Sequence, residues 1–515
     1  MRRTKKPRAV AQGGAHESIA IRMNILLVYP KIPETFWSFK HALKFIGKNA
    51  AFPPLGLLTV AALLPETWSK RLVDMNIAPL TDADLKWADY VFLSGMTVQR
   101  ESAGEVIERC NRAGTPVVAG GPLFTTEHEN FTGVAHFVLN EAEITLPPFL
   151  DDLERNRLQP IYRSTEFADI RQTPAPLWHL ADMKKYATMS LQYSRGCPFQ
   201  CEFCNVTALF GHRARTKTAD QVLAELNCLR DLGWKGKVFF VDDNLIGNKS
   251  RLVKELLPPL IQWQKWVGRM PFFTQASINL SDSADLMEMM REAGFDSVFI
   301  GIETPSEAGL AECHKQQNTR RDLIADIKRI QRAGLEVQGG FIVGFDSDTP
   351  AIFQRQIDFI QKSGIVVAMV GLLQAIQGTQ LHERLKNAGR LRGDTSGDNV
   401  DGTTNIVSLM DEKTLLAGYE KILASIYSPK NYYARLKTFL SEYRRPKVQE
   451  GLSMRRLGAF VRSMLSIGIL GKERFYYWKL LAWTFFVRPT LLPHAVSLAI
   501  FGVHFRMVCH SQHRT

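Results

Sequence analysis

From residue 25 to residue 373, short apolar runs alternate with stretches of helical spacing. No other feature constrains the fold as strongly. Runs at 25–29, 71–73, 90–93, 117–119 and 137–139 are strand-like, and most are separated by stretches such as 57–64 and 104–113 with helical spacing. Buried strands that alternate with helices form parallel sheets covered by those helices. A doubly wound α/β domain over residues 23–155 is expected. The alternation then resumes. Strands are expected at 188–193, 237–241, 272–278, 297–301, 337–343 and 366–373, with helices between them at 219–232, 251–266, 284–293, 320–333 and 351–362. Thr218 and Gln221 stand in capping-box spacing at the first of these helices. Six strands are too few for a full eight-stranded barrel.

Doubly wound sheets bind ligands outside the carboxyl ends of their strands. Pro54 and Gly56 end the long loop after the first strand, Ser94 follows the third, and Gly120 and Gly121 follow the fourth. Paired glycines let a ligand approach the backbone closely, although a Gly-Gly-Pro sequence also makes an ordinary turn.

Seven cysteines in 515 residues are too few for a disulfide scaffold, yet three of them fall within eight residues. Cys197, Cys201 and Cys204 are spaced C-x3-C-x2-C. Three thiolates on one short loop can hold three irons of a cubane [4Fe–4S] cluster and leave the fourth iron open. The alternative is a zinc site completed by His212. Zinc motifs usually come as two separated pairs, and no second pair exists. Cys110, Cys228, Cys313 and Cys509 have no such company, and Cys228 falls in a helical pattern that suggests a core position.

Arg195-Gly196-Cys197-Pro198 through Cys204, with Phe203 before the last cysteine, is similar to the signature of the radical S-adenosylmethionine (SAM) superfamily. A doubly wound domain ahead of that signature resembles the cobalamin-binding, or class B, radical SAM methylases, over about residues 23–435. Six βα repeats match the partial (β/α)6 TIM-type barrel of that superfamily, here placed at 180–395. The tail, with Tyr427-Ser428-Pro429 and Tyr432-Tyr433-x-Arg435, resembles the hopanoid C-2 methylase branch.

The resemblance implies that SAM chelates the open iron and is cleaved by an electron from the cluster. That electron comes from a donor of the flavodoxin or ferredoxin type. Candidate SAM ligands lie at the strand ends. In Asp242-Asp243-Asn244 one acid would accept from the SAM amine or ribose, with a capped turn as the alternative. Gln275 and Ser277, two apart on one strand, would share a face. Glu303 is a ribose or adenosine candidate, and Gly340 and Gly344 lie in a strand that resembles the adenine-contacting one. Pro54, Gly56, Ser94, Gly120 and Gly121 would line a cobalamin site. The cobalt-ligating Asp-x-His-x-x-Gly motif is absent, as is common in this class. Asn140 stands where that class usually has glycine. The implied activity is cobalamin-dependent methylation of an unactivated carbon, with a radical SAM oxidoreductase or cyclase as the alternative.

The formal charge of +13 is unevenly placed. Residues 1–22 carry +5 and residues 430–515 carry +12, so the remaining 407 residues are four units negative. This argues against a nucleic-acid-binding catalytic body. Residues 1–22 lack an apolar core and read as a disordered basic leader, or as sequence upstream of a start at Met23, and not as a signal peptide. A cytoplasmic enzyme is expected, its few cysteines fitting a reducing compartment. Residues 396–515 form a helical region. Within it, 476–505 is apolar and aromatic, with Lys479 and Arg488 its only Lys, Arg, Asp or Glu residues. Pro489 and Pro493 should break it into halves too short to span a bilayer. An interfacial anchor at the inner face of the cytoplasmic membrane, serving a lipophilic substrate, is expected. Helices packed on the barrel are the alternative.

Overall fold

The computed structural model describes residues 22–266, 270–445, 448 and 454–511. The leader at 1–21 lies outside the described residues. The chain divides into two compact units. One holds residues up to Pro33 with Pro53–Lys184 and Ala224–Gly233, and the other holds Glu34–Phe52, Lys185–Leu223 and Trp234 onward.

The first unit is built on strands β1 (Asn24–Tyr29), β2 (Ser69–Asp74), β3 (Tyr90–Ser94), β4 (Val117–Gly120), β5 (His136–Val138) and β6 (Ile161–Tyr162). They form one sheet in the order β2-β1-β3-β4-β5-β6, parallel throughout. Strand alternation sorts β1 onto two cores. Leu26 and Val28 face one with Val106, Ile107 and Phe124, while Ile25 and Leu27 face the other with Leu57, Ala61 and Phe149. The order reverses between β1 and β3, which places the binding crevice of such a sheet there. β6 was not legible in the sequence, because two residues carry no periodicity.

The second unit contains β7 (Met189–Leu191), a short hairpin of β8 (Ser194–Arg195) with β9 (Arg215–Thr216), then β10 (Val238–Phe240), β11 (Phe272–Gln275), β12 (Phe295–Glu303), β13 (Glu336–Val343) and β14 (Ala368–Leu372). Apart from the hairpin, the six strands β7 and β10 to β14 run parallel in sequential order. This is the expected partial barrel. On β12, Val298, Ile300 and Ile302 are fully buried, and Phe299, Gly301 and Glu303 alternate to the opposite face. The capping box holds: Gln221 N donates to Thr218 Oγ1 at 3.2 Å, and Thr218 N donates to Gln221 Oε1 at 3.0 Å.

Three expectations are corrected. The strand expected at 272–278 ends at Gln275. The Ser277 N–H donates to Asn244 Oδ1 at 3.2 Å, and Ser277 opens a 3₁₀ turn over Ile278–Asp282. Serine diverted to side-chain partners competes with the strand ladder, so Gln275 and Ser277 do not share a strand face. Cys228 is partly exposed, whereas Cys110, Cys313 and Cys509 are buried. The C-terminal helix runs over Leu492–Ser511, 20 residues, longer than the two prolines suggested. Pro493 sits in its first turn, where no intrahelical N–H is needed.

Candidate active site

The cysteine loop leaves β8 through Gly196, whose φ is +92. A Cβ there would meet the carbonyl oxygens of Arg213 at 2.6 Å, and of Gly211 and Phe210 at 2.9 Å. Only glycine fits, which explains its place before Cys197. Gly196→Ala is expected to destabilise the fold by about 1–3 kcal/mol, since three backbone oxygens cannot turn aside. A thermal midpoint equal to that of the parent protein would contradict this.

Asp242 and Asp243 both serve this loop. Asp242 is fully buried, and it accepts from Tyr193 N at 3.3 Å, from the Ser194 hydroxyl at 2.5 Å and from Ser194 N. Burial pushes its carboxyl up to about 7, against the lowering effect of those donors. Asp243 accepts from Gly196 N at 3.2 Å, and burial raises it to about 6. The two acids follow the end of β10, so strand alternation no longer separates them.

Glu202, inside the loop, is buried and accepts from Nε and Nη2 of Arg384, at 2.5 and 3.0 Å. Phe203 packs against the core formed by Cys313, Phe345 and Leu373. Asn244 Nδ2 lies 3.9 Å from Cys197 Sγ and 3.2 Å from Ser277 Oγ, and Gln317 Nε2 lies 3.8 Å from Cys201 Sγ. Gln317 Oε1 is buried without a partner.

Glu303 sits at a register shift in the pairing of β12 with β13, at a φ of +65. Bulges re-aim side chains, and a non-glycine residue at this φ is uncommon. The Glu303 carboxylate meets Lys315 Nζ at 2.7 Å, with Glu303 buried and the Lys315 side chain nearly so. Burial works to lower the Lys315 ammonium, but Glu303 and then Cys201 hold it above its ordinary value. Burial also pushes Cys204 up to about 12 and raises Cys197, with Cys201 adding to both and Lys315 opposing.

The thiols are therefore within electrostatic reach of one another. Three bare thiolates here would be costly unless cations compensate them, and iron does so. Amide donors aimed at two of the sulfurs suit ligands that carry negative charge. Among the described residues, no three His, Cys, Asp or Glu side chains converge as ligands of a single ion. Thiolates that bind three different irons have no reason to converge on one point. His212 is exposed.

Gly340 is kept small by the Phe299 ring, which a Cβ would meet at 2.8 Å, and Gly344 turns the chain at a φ of +104. Further along the same barrel face, Phe239 and Phe273 stack at 4.5 Å. The segment Glu34–Phe52 adds Phe52, 5.4 Å from Phe239, and Trp37, edge-on to Phe299 at 5.3 Å. Trp37 Nε1 also contacts Met369 Sδ at 3.0 Å.

In the first unit, Ser94 pairs in register with Gly120, and a Cβ on Gly121 would meet Ser94 Oγ at 2.2 Å. A Cβ on Gly120 would meet Val138 O at 2.4 Å. Pro54 is the N-cap of the helix Leu55–Leu63, and Gly56 is exposed with open space beside it. Met96, just beyond β3, is 45% exposed. Gly120 and Gly121 are thus kept small by the protein's own Val138 and Ser94, whereas Gly56 and Met96 lie open. Asn140 holds a φ of +65, its N–H donating to Thr125 Oγ1 at 2.9 Å, so it keeps the left-handed turn that glycine would make.

A doubly wound domain, then an open six-stranded βα barrel with three cysteines beyond its first strand, defines the cobalamin-binding radical SAM proteins. Residues 49–150 match the B12 binding domain, 191–360 the radical SAM superfamily, and 379–515 a domain of unknown function (DUF4070). An uncharacterized methyltransferase of Synechocystis is 38% identical over 493 residues, 94% of this chain and 91% of that protein. The hopanoid C-2 methylase of Rhodopseudomonas palustris is 34% identical over 477 residues, 90% of this chain and 89% of that one. The solved cobalamin-dependent radical SAM enzyme OxsB shares the fold, with a TM-score of 0.62 over 96% of this chain and 80% of that one, at 14% identity. The chain belongs to the cobalamin-dependent radical SAM methyltransferase family. It is a radical SAM enzyme whose cofactors are a [4Fe–4S] cluster, SAM and cobalamin.

Proposed function

We propose that this enzyme transfers a methyl group to an unactivated carbon of a lipophilic substrate. The observation that carries the lipophilic assignment is the aromatic face of the barrel, where Phe239, Phe273 and Phe52 cluster and Phe299 meets Trp37. The hopanoid C-2 methylase, a relative over nine-tenths of the chain, has a name consistent with such a substrate. Within this reading the cobalamin-binding domain spans 23–155, the barrel 180–395 and the helical region 396–515. The reductant is a flavodoxin- or ferredoxin-type protein, and the enzyme works at the cytoplasmic face of a membrane.

Cys197, Cys201 and Cys204 would hold the cluster. Ser277, Glu303 and the stretch from Gly340 to Gly344 would line the SAM site. Asp242 would act by fixing the loop at Ser194, and Asp243 by holding Gly196. Asn244 and Gln317 would donate to sulfur and stabilise the reduced, more negative cluster. Pro54, Gly56, Ser94, Gly120 and Gly121 would flank cobalamin. When bound, the cluster supplies the electron that cleaves SAM, and cobalamin carries the methyl group. The aromatic face excludes water from the reacting carbon.

The test is anaerobic turnover of cobalamin-loaded enzyme with a lipid extract and methyl-labelled SAM. S-adenosylhomocysteine and 5′-deoxyadenosine are expected in comparable amounts, with label in an organic-soluble product. Formation of 5′-deoxyadenosine alone, by protein that retains no cobalamin after desalting, would replace methyl transfer with oxidoreductase or cyclase chemistry.

A further inference from the structure

The C-terminal region buries one face of two successive helical segments and leaves the other apolar and open. The first segment runs through the helix Met454–Ser463 into a π-helical stretch, Met464–Ile469. Ser463 and Ile467 are buried, while Leu457, Val461, Leu465 and Ile469 are 43–57% exposed. Their spacing of four residues places them in one stripe, and the wider π turn keeps Leu465 and Ile469 in line. In the second, Arg474–Val487, Tyr477, Leu480, Leu481 and Thr484 are buried. Phe475, Phe485 and Phe486 on the opposite side are 74%, 58% and 81% exposed. Solvent-exposed aromatic and aliphatic side chains gathered this way mark an interaction surface.

Charge identifies the partner. Between 454 and 488 stand seven Lys or Arg residues and one acid. Arg455, Lys472, Arg474 and Lys479 are exposed. The acid, Glu473, is turned inward and paired with Arg506. A second copy of this chain would set like charge against like charge, whereas an anionic lipid leaflet matches both the apolar stripes and their basic rim.

The long C-terminal helix is not part of this surface. Pro489–Cys509 is apolar enough to cross a membrane by length and composition, but 56% of its most apolar window is buried. Leu498 accepts from Tyr432 Oη at 2.6 Å, and His504 Nε2 lies 2.9 Å from Phe36 O. The expected anchor at 476–505 therefore divides. Its second half is core, and the exposed surface extends backwards to Met454.

We infer that the paired apolar stripes of residues 454–487 form a peripheral docking surface for anionic phospholipid. The inference rests on the proposed lipophilic substrate for its purpose and not for its test, which needs no turnover. Full-length protein is floated with vesicles of phosphatidylcholine alone and of phosphatidylcholine mixed with phosphatidylglycerol, at low and high salt. Binding is expected to the anionic vesicles and to weaken with salt. Phe485→Ser with Phe486→Ser, and separately Lys472→Glu with Lys479→Glu, should each lower partitioning about tenfold or more. All four side chains are exposed, so unchanged circular dichroism will show that each variant folds. Absence of vesicle binding by the parent protein overturns the inference. So does a dimer in sedimentation that the phenylalanine changes dissociate, which would assign the face to a second copy. Vesicle binding alongside methylation of a water-soluble substrate would refute the substrate reading and leave the docking surface standing.

Discussion

Replacing Cys197, Cys201 and Cys204 together by alanine is expected to remove the cluster and reduce SAM cleavage to background. The three thiols share one loop and lie within electrostatic reach of one another, two of them raised by burial. Iron is the cation that makes their ionised forms favourable there, so the site has no route to assembly without them. Iron content, visible absorbance and 5′-deoxyadenosine formation after anaerobic reconstitution give three independent readings. Cys313→Ala and Cys228→Ala should retain all three. The Cys313 thiol contacts Leu310 O at 3.7 Å within a packed core, and Cys228 is partly exposed on the helix Ala219–Asp231. Iron and SAM cleavage persisting in the triple variant would defeat the central assignment of this enzyme's chemistry.

The second large effect is expected at Lys315. Its ammonium lies 2.7 Å from Glu303, and the side chains are 12% and 8% exposed. Removing one partner of a buried pair leaves the other charged and poorly solvated, a loss of about 3–5 kcal/mol. Lys315→Met should lower the unfolding free energy of the apoprotein, read from denaturant titration, by that order. Lys315→Met with Glu303→Gln should recover part of it, because the orphaned carboxylate is gone. Equal stability of the single variant and the parent would show that water reaches Glu303 in solution. Glu303 also contributes strain through its left-handed backbone, so the pair fixes a side chain that the bulge alone would leave free to turn.

Much of the architecture can be read directly from the chain. A run such as Asn24-Ile25-Leu26-Leu27-Val28-Tyr29, apolar on both strand faces, can be buried only between two helical layers. Repetition of that pattern gave both parallel sheets and the order of elements in the barrel. The cysteine spacing likewise identified the cluster loop, because three ligands within eight residues need no tertiary information to be brought together. Such features are local, so period and spacing report them.

The rest depended on where distant segments meet. Glu202 finds Arg384 182 residues away, and Lys315 reaches Glu303 from the far side of a helix and a turn. No periodicity in either neighbourhood signals those partners. Ser277 left its strand because Asn244, 33 residues earlier, offered its amide. Asp242 turned inward because the backbone of residues 193 and 194 presents donors that only the folded loop positions. Trp37 and Phe52 lie between two strands of the first sheet in sequence, yet they pack in the barrel. The C-terminal segments carry nearly the same apolar composition, but one is mostly core and the other leaves one face open. Composition sets how much apolar surface a chain has to bury. Which part stays exposed is decided by the neighbours that reach it first, and those are known only once the chain has folded.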